Sequence, residues 1–234
     1  MALILSFDTT TKVCAVAVGD GDRLLAQRTD SSDRLNHAEV LNRFVAEALE
    51  EAGVQLRSLS AVAVGVGPGS YTGSRIGLSA AKGFCFALDI PLIGMGTPHV
   101  LVHALRASGF TPRAHDLLHP MIDARRMEVF TTTCAANGEV LQAAHPLVLD
   151  GAWHASWPVD ASHVVFGDGA DKATEVFASD AAVLHVAGIH PGPEGLVACA
   201  HEHFLRGLFA DLAYLVPDYG KAANVAQPKA RGLQ

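Results

Sequence analysis

Apolar residues in this chain come in short runs of strand length, give way to helical spacing, and then begin the same programme again. Leu3–Phe7 is an apolar run that stops at Asp8-Thr9-Thr10-Thr11, the pattern of a buried strand. Val13–Val18 follows, rich in small and β-branched residues. Gly19-Asp20-Gly21-Asp22 has the composition of a hairpin turn, so Arg23–Thr29 can return as a third strand. From about Ala38 to Ala52 the period changes: Val40, Leu41, Phe44, Val45, Ala48 and Leu49 recur at helical spacing, and Gly53 offers a stop. Leu59–Val66 reads as a buried strand and Gly67–Gly73 as a loop. Arg75 to Leu88 is a helix rich in small residues, Pro91–Gly96 a short strand and Pro98–Ala107 a third helix.

The pattern breaks near Ser108–His115 and restarts. Leu117–Ile122 ends at Asp123, as Leu3–Phe7 ends at Asp8. Glu128–Cys134 and Val140–Leu149 flank the turn Ala136-Asn137-Gly138. Val164–Phe166 leads into Gly167-Asp168-Gly169 and a helix around Asp171–Phe177, and a last helix spans about Glu194 to Phe209. Two strand meanders, each followed by helices, predict a duplicated α/β domain.

Composition narrows what such a domain does. Half of the 234 residues are apolar, enough for a sizeable core. Seventeen Lys and Arg against 24 Asp and Glu give a formal charge of −7, which disfavours gripping nucleic acid without a basic partner. No stretch approaches the ~20 apolar residues of a membrane span. Met1–Phe7 lacks the basic flank and cleavage site of a secretory signal. Cys14, Cys85, Cys134 and Cys199 are scattered in apolar runs, the usage of reduced, buried thiols in a cytoplasmic protein.

The densest local signal is the block from Gly65 to Gly77. Its glycines permit positive φ and close backbone approach, and it lies between a strand and a helix N-terminus. It is not a P-loop, because Ser74-Arg75 follows Gly73 where Lys and Ser or Thr are required, and no GxGxxG register fits. Two readings stay open: a different phosphate-binding loop formed by Asp8, Thr9, Gly67, Gly69, Ser70 and Gly73, or a tight turn that lets a small-residue helix pack closely. Asp8 can hold a divalent ion through water or simply close a turn. Asp123-Ala124-Arg125-Arg126-Met127-Glu128 can present Arg125 and Arg126 to an anion or an RNA backbone, or be a charged hairpin tip. His99/His103 and His115/His119 are HxxxH pairs without the neighbouring Glu or Cys pattern of a zinc protease, and Pro120 breaks a helix at the second pair. No GxSxG elbow occurs. These residues assemble no catalytic centre and no metal site.

Taken in order, Phe7-Asp8-Thr9-Thr10, His37-Ala38-Glu39, the glycine block and Asp123–Phe130 resemble the TsaB (YeaZ) family. The resemblance is dense in the first half and sparse beyond about Leu149. It implies an α/β fold of two tandem actin-like/Hsp70-like (ASKHA, RNase H-type) lobes, mixed sheets flanked by helices. It further implies a part in making N6-threonylcarbamoyladenosine at position 37 of tRNAs, as a non-catalytic scaffold for a TsaD-like catalytic subunit in a complex completed by a TsaE-like ATPase. The chain would meet tRNA only through that complex, need no cofactor, and see ATP only at a subunit junction. Older usage places the superfamily among M22 glycoproteases, and the fold also serves ATP-dependent phosphotransferases and ATPases; these are the alternative activities. Catalytic relatives carry HxxxH on the first helix; here His37 fills the first position and Leu41 the second.

The expected partner surface is Leu41, Phe44, Val45 and Leu49 on the first helix with Arg75, Leu78 and Phe86 on the second, docking the catalytic subunit or a second copy of this chain. The expected lobes are 1–108 and 109–215, with 216–234 a tail. His-Ala-Glu stands where the family usually has His-Ser-Glu, and Pro217–Lys221 lacks the Tyr-Leu-Arg common near the family's end.

Overall fold

The computed structural model describes residues 2–32, 37–151, 153–178 and 180–221. The first half forms β1 (Leu3–Asp8), β2 (Cys14–Asp20), β3 (Arg23–Asp30), α1 (His37–Ala52), β4 (Ala61–Gly67), α2 (Tyr71–Leu88), β5 (Leu92–Gly96) and α3 (Thr97–Ala107). The second half forms β6 (Asp116–Asp123), β7 (Glu128–Ala135), β8 (Val140–Val148), β9 (Ser162–Phe166), α4 (Asp168–Asp171), α5 (Thr174–Phe177), β10 (Val183–Val186) and α6 (Pro193–Leu205).

The two sheets have the same topology. The first runs β3-β2-β1-β4-β5 and the second β8-β7-β6-β9-β10. In each, the opening three strands are an antiparallel meander and the last two add in parallel. The duplication expected from the restarted pattern is therefore real at the level of strand order: two lobes of one α/β design.

Local chemistry explains the elements. β1, β2 and β4 are buried along nearly their whole length, which is why their sequences are apolar runs and do not alternate. Ser70 caps α2 by accepting from the Gly73 amide at 3.2 Å, so the helix begins at Tyr71, four residues before the expected start. α6 ends at Leu205, not Phe209, because Gly207 takes φ +63° and turns the chain. The single helix expected at Asp171–Phe177 is two one-turn pieces, interrupted where Ala173 leaves helical geometry at φ −120°, ψ 24°.

The lobes are not consecutive stretches of sequence. α6 comes from the second half, yet Leu196, Cys199 and Ala200 pack on Ile4, Ala15, Ala63 and Ile93 of the first sheet. α3 comes from the first half, yet Leu101, Val102 and Leu105 pack on Leu118, Val164 and Phe166 of the second. Each of the expected stretches 1–108 and 109–215 thus places one helix on the other's sheet. Lobe-sized units need a helix from the other half, because each sheet has two apolar faces to cover.

Candidate functional site

The loops that follow β1, β4, β6 and β9 carry the polar residues singled out above. Asp8 ends β1 fully buried. Its Oδ1 accepts from the Thr10 amide and the Thr10 hydroxyl, both at 2.7 Å, whereas Oδ2 has no partner. A side chain at Gly65 would strike that oxygen. Burial, helped by Asp168, pushes the Asp8 carboxyl up to about 6 against the bonds from Thr10.

The glycine block lies directly over this turn. Ser70 N donates to Thr10 O at 2.6 Å, Ser74 N to Ser70 O at 2.9 Å and Gly73 N to Ser70 Oγ at 3.2 Å. Thr9 Oγ1 donates to Gly73 O at 2.7 Å. A Cβ at Gly69 or Gly73 would collide with the Thr10 or Thr9 carbonyl, and one at Gly77 would lie 2.5 Å from Thr9 Oγ1. The structure thus brings Asp8, Thr9, Gly67, Gly69, Ser70 and Gly73 together, but what the glycines admit is the chain's own Thr9-Thr10 backbone. The amides of Ser70, Gly73 and Ser74 are bonded to protein oxygens.

The second lobe repeats the arrangement with charge. Asp168 Oδ1 accepts from the Asp123 amide at 3.1 Å, and burial with the nearby Asp123 raises the Asp168 carboxyl. Lys172 Nζ bonds Asp123 Oδ1 and also donates to Glu128 O at 2.6 Å. Lys172 was not singled out from the sequence; its one signal is its place four residues after Asp168, one helical turn on. Arg125 and Arg126 occupy the tip of the β6–β7 hairpin at φ +70° and +50°, both exposed, with Glu128 N donating to Arg125 O at 3.2 Å.

The expected partner surface is corrected by burial. Leu41 is 1% exposed, Phe44 and Leu49 8%, Val45 3% and Leu78 5%, all within the first lobe's own core. The apolar stripe of α1 faces its own sheet, so none of these five presents itself to a partner. Phe86 is different, at 81% exposed, and Arg75 is also on the surface, stacked over Tyr71 at 4.2 Å and donating from Nε to Tyr219 at 2.9 Å. His37 is buried with Nε2 2.9 Å from Thr11 O, and Nδ1 has no partner.

The histidine pairs separate. His99 and His103 share a face of α3 and line a cavity of about 450 Å³ with Arg106, Glu202, His203 and Arg206. Burial lowers both imidazoles of the pair and keeps them neutral, but Glu202 is held by His103 at 3.2 Å and Arg206 at 3.0 Å. His203, given no role from the sequence, turns Nδ1 to Cys199 O at 2.9 Å. His115 and His119 do not share a helix: His119 lies in β6, stacked on Trp157 with centroids 3.6 Å apart. Its Nε2 is 3.0 Å from His163 Nδ1, and His163 Nε2 is 3.0 Å from Pro158 O. That carbonyl only accepts, so the proton order along the pair is set, and burial drives His119 down to about 3. Among the described residues no three ligating side chains converge on one point.

Comparison with known proteins identifies the plan. The family model for TsaD, tRNA N6-adenosine threonylcarbamoyltransferase, matches residues 24–155, more than half of the chain. The tRNA threonylcarbamoyladenosine biosynthesis protein TsaB of Escherichia coli is 32% identical over 152 residues, covering 64% of this chain and 58% of that protein. The chain therefore aligns with little more than half the length of that curated relative. The solved structure of YeaZ from Pseudomonas aeruginosa superposes with a TM-score of 0.78 at 27% identity, over 94% of this chain and 100% of the other. An inorganic polyphosphate/ATP-glucomannokinase from an Arthrobacter strain shares the fold alone, with a TM-score of 0.52 at 14% identity over 88% and 100% of the two chains. Among the described residues no helix is long and apolar enough to cross a membrane.

Proposed function

The chain belongs to the TsaD family, in its TsaB (YeaZ) branch with the two-lobed ASKHA fold, and from that premise we propose that it is a scaffold subunit required to form N6-threonylcarbamoyladenosine in tRNA. It binds and supports a TsaD-like catalytic subunit and has no turnover of its own. The observation that carries this reading is at Leu41. Where catalytic relatives place the second histidine of HxxxH, this chain has an apolar side chain sunk in its core, and the retained His37 directs Nε2 to the Thr11 carbonyl. A two-ligand site reduced to one committed imidazole loses most of its affinity for a metal.

Docking uses the outward face of α2. Tyr71, Thr72, Arg75, Ser79, Gly83, Phe86 and Ala87 are its exposed positions, with an aromatic towards each end and small residues between, which permits close approach of a partner helix. In the absence of the catalytic subunit a second copy of this chain occupies the same face. A TsaE-like ATPase completes the assembly, tRNA is met through the complex, and ATP lodges only at a subunit junction. The setting is the cytoplasm.

Reconstitution tests the proposal. Purified chain, TsaD-like subunit and TsaE-like ATPase are mixed with ATP, a threonylcarbamoyl donor and tRNA, and the nucleoside is quantified. Product appears with all components and vanishes when this chain is omitted. Product made by this chain without the catalytic subunit, or undiminished when the chain is left out, overturns the reading. Steady ATP hydrolysis by the isolated chain, abolished by Asp8→Asn, favours an ATPase or phosphotransferase instead.

A further inference from the structure

After α6 the chain returns across the molecule. Ala210 N donates to Leu92 O at 2.8 Å, adding to the edge of β5. Leu212 and Leu215 pack on the first lobe's core. Lys82 Nζ donates to Ala213 O at 3.2 Å, and Tyr219 lies against Tyr71 with centroids 4.8 Å apart, so the segment runs beside α2 toward that helix's N-terminus. Asp218 N donates to Val66 O at 2.8 Å, and a Cβ at Gly67 would collide with Asp218 O.

The next two residues touch the other lobe. A Cβ at Gly220 would stand 2.6 Å from the Phe130 ring, which belongs to the second lobe's core. Gly220 also takes φ +65° and donates to Asp218 Oδ1 at 2.8 Å, so both the space and the backbone there demand glycine. Lys221 Nζ pairs with Glu128 Oε1 at 2.6 Å. Within four residues, 218–221, the chain is bonded to the C-terminal end of β4 in one lobe and packed on β7 of the other.

We propose that residues 218–221 are an intramolecular strap that fixes the angle between the two lobes beside the glycine block. A ligand that closes a two-lobed protein works by bonding both lobes at once; here the chain's own backbone makes that bridge. The strap is separate from the α3–α6 exchange, which joins the lobes through their cores. Gly67 and Gly220 are its two fitted points, and the exposed Lys221–Glu128 pair adds little alone. Tyr219 of the strap also touches Tyr71 and Arg75 of the proposed docking face, so the lobe angle is read without a catalytic subunit present.

Spin labels at Asp22→Cys in the first lobe and Glu175→Cys in the second measure the angle directly. Both positions are exposed, and the four native cysteines are buried and escape labelling. The parent chain gives one narrow distance distribution. Gly220→Val, whose side chain enters the Phe130 ring, and the full-length double variant Tyr219→Ala/Lys221→Glu each give a distribution broadened and displaced by more than its own width. Amide exchange at Asp218, whose N–H bonds Val66 O, rises roughly tenfold as the strap comes away. Distributions from both variants that superpose on the parent's overturn the strap. Should Gly220→Val fail to fold, the double variant, which alters only surface contacts, decides the matter by the same two readings.

Discussion

Asp8 is a residue under electrostatic stress. Its carboxyl is fully buried, one oxygen doubly bonded to Thr10 and the other unpartnered. Because burial raises it from 3.8 to about 6, the folded state favours the protonated acid. The stability tied to that proton is therefore complete below pH 4 and is lost as pH rises through about 6. A gap of this size corresponds to about 3 kcal/mol. Asp8→Asn keeps an acceptor for Thr10 and removes the charge. It should raise unfolding free energy by about 2–3 kcal/mol at pH 8 and by almost nothing at pH 3.5, measured by urea denaturation at the two pH values; an equal effect at both would refute the assignment. His119 has the opposite sign. Held down to about 3, it stays neutral while the unfolded chain's histidine protonates below pH 6.5, so it withdraws stability as pH falls from 6.5 toward 3. His119→Gln should flatten that acid limb in the same titration. The position of Asp8 was legible, because an apolar run ended on it. Its stress was not, because Gly65 and the cover of the glycine block arrive from more than fifty residues away.

At the level of elements, helical periodicity told which side of α1 is apolar and was silent on what covers it. The stripe of Leu41, Phe44, Val45 and Leu49 serves the first sheet, and α2 keeps an exposed outward face whose N-terminal end, at Tyr71 and Arg75, is touched by Tyr219. The two helices can be told apart by substitution. Phe44→Asp places an unpaired charge in the core and should lower the unfolding free energy of the isolated chain by about 3–5 kcal/mol. Phe86→Asp, on a side chain 81% exposed, should leave thermal unfolding within about 0.5 kcal/mol of the parent yet weaken co-purification with a TsaD-like subunit by on the order of 2–4 kcal/mol. Undiminished capture by Phe86→Asp places the docking face elsewhere. The strands fared better, since β1, β2, β4, β6 and β7 are runs buried by their own neighbours. β10 escaped notice because Val183–Val186 is four residues long, sits at a sheet edge and contains a histidine. The second-lobe helix read as one because its side-chain spacing is continuous while Ala173 breaks its backbone.

The whole molecule is joined more tightly than its repeated sequence suggests. Duplication was visible because each half ends its first strand on an aspartate and restarts a meander, and the two sheet orders agree. The exchange of α3 and α6 was invisible, because an amphipathic helix carries no mark of which sheet it will cover. Its consequence is cooperativity. Without α6, the first sheet exposes Ile4, Ala15, Ala63, Ile93 and Met95, all of them at most 2% exposed in the chain. A fragment of residues 1–108 should accordingly be insoluble or molten, and fusing residues 193–221 to it should restore a cooperative transition. For the intact chain, both tryptophans, Trp153 and Trp157, lie in the second lobe's core, so their fluorescence reports that lobe alone while far-UV circular dichroism reports both. Lobes that share helices cannot separate without uncovering two sheets at once, and the two signals should follow one urea curve with one midpoint. A fluorescence midpoint displaced from the dichroism midpoint, or a 1–108 fragment that unfolds cooperatively by itself, would mean that each half covers its own sheet and that the exchange of helices contributes nothing to stability.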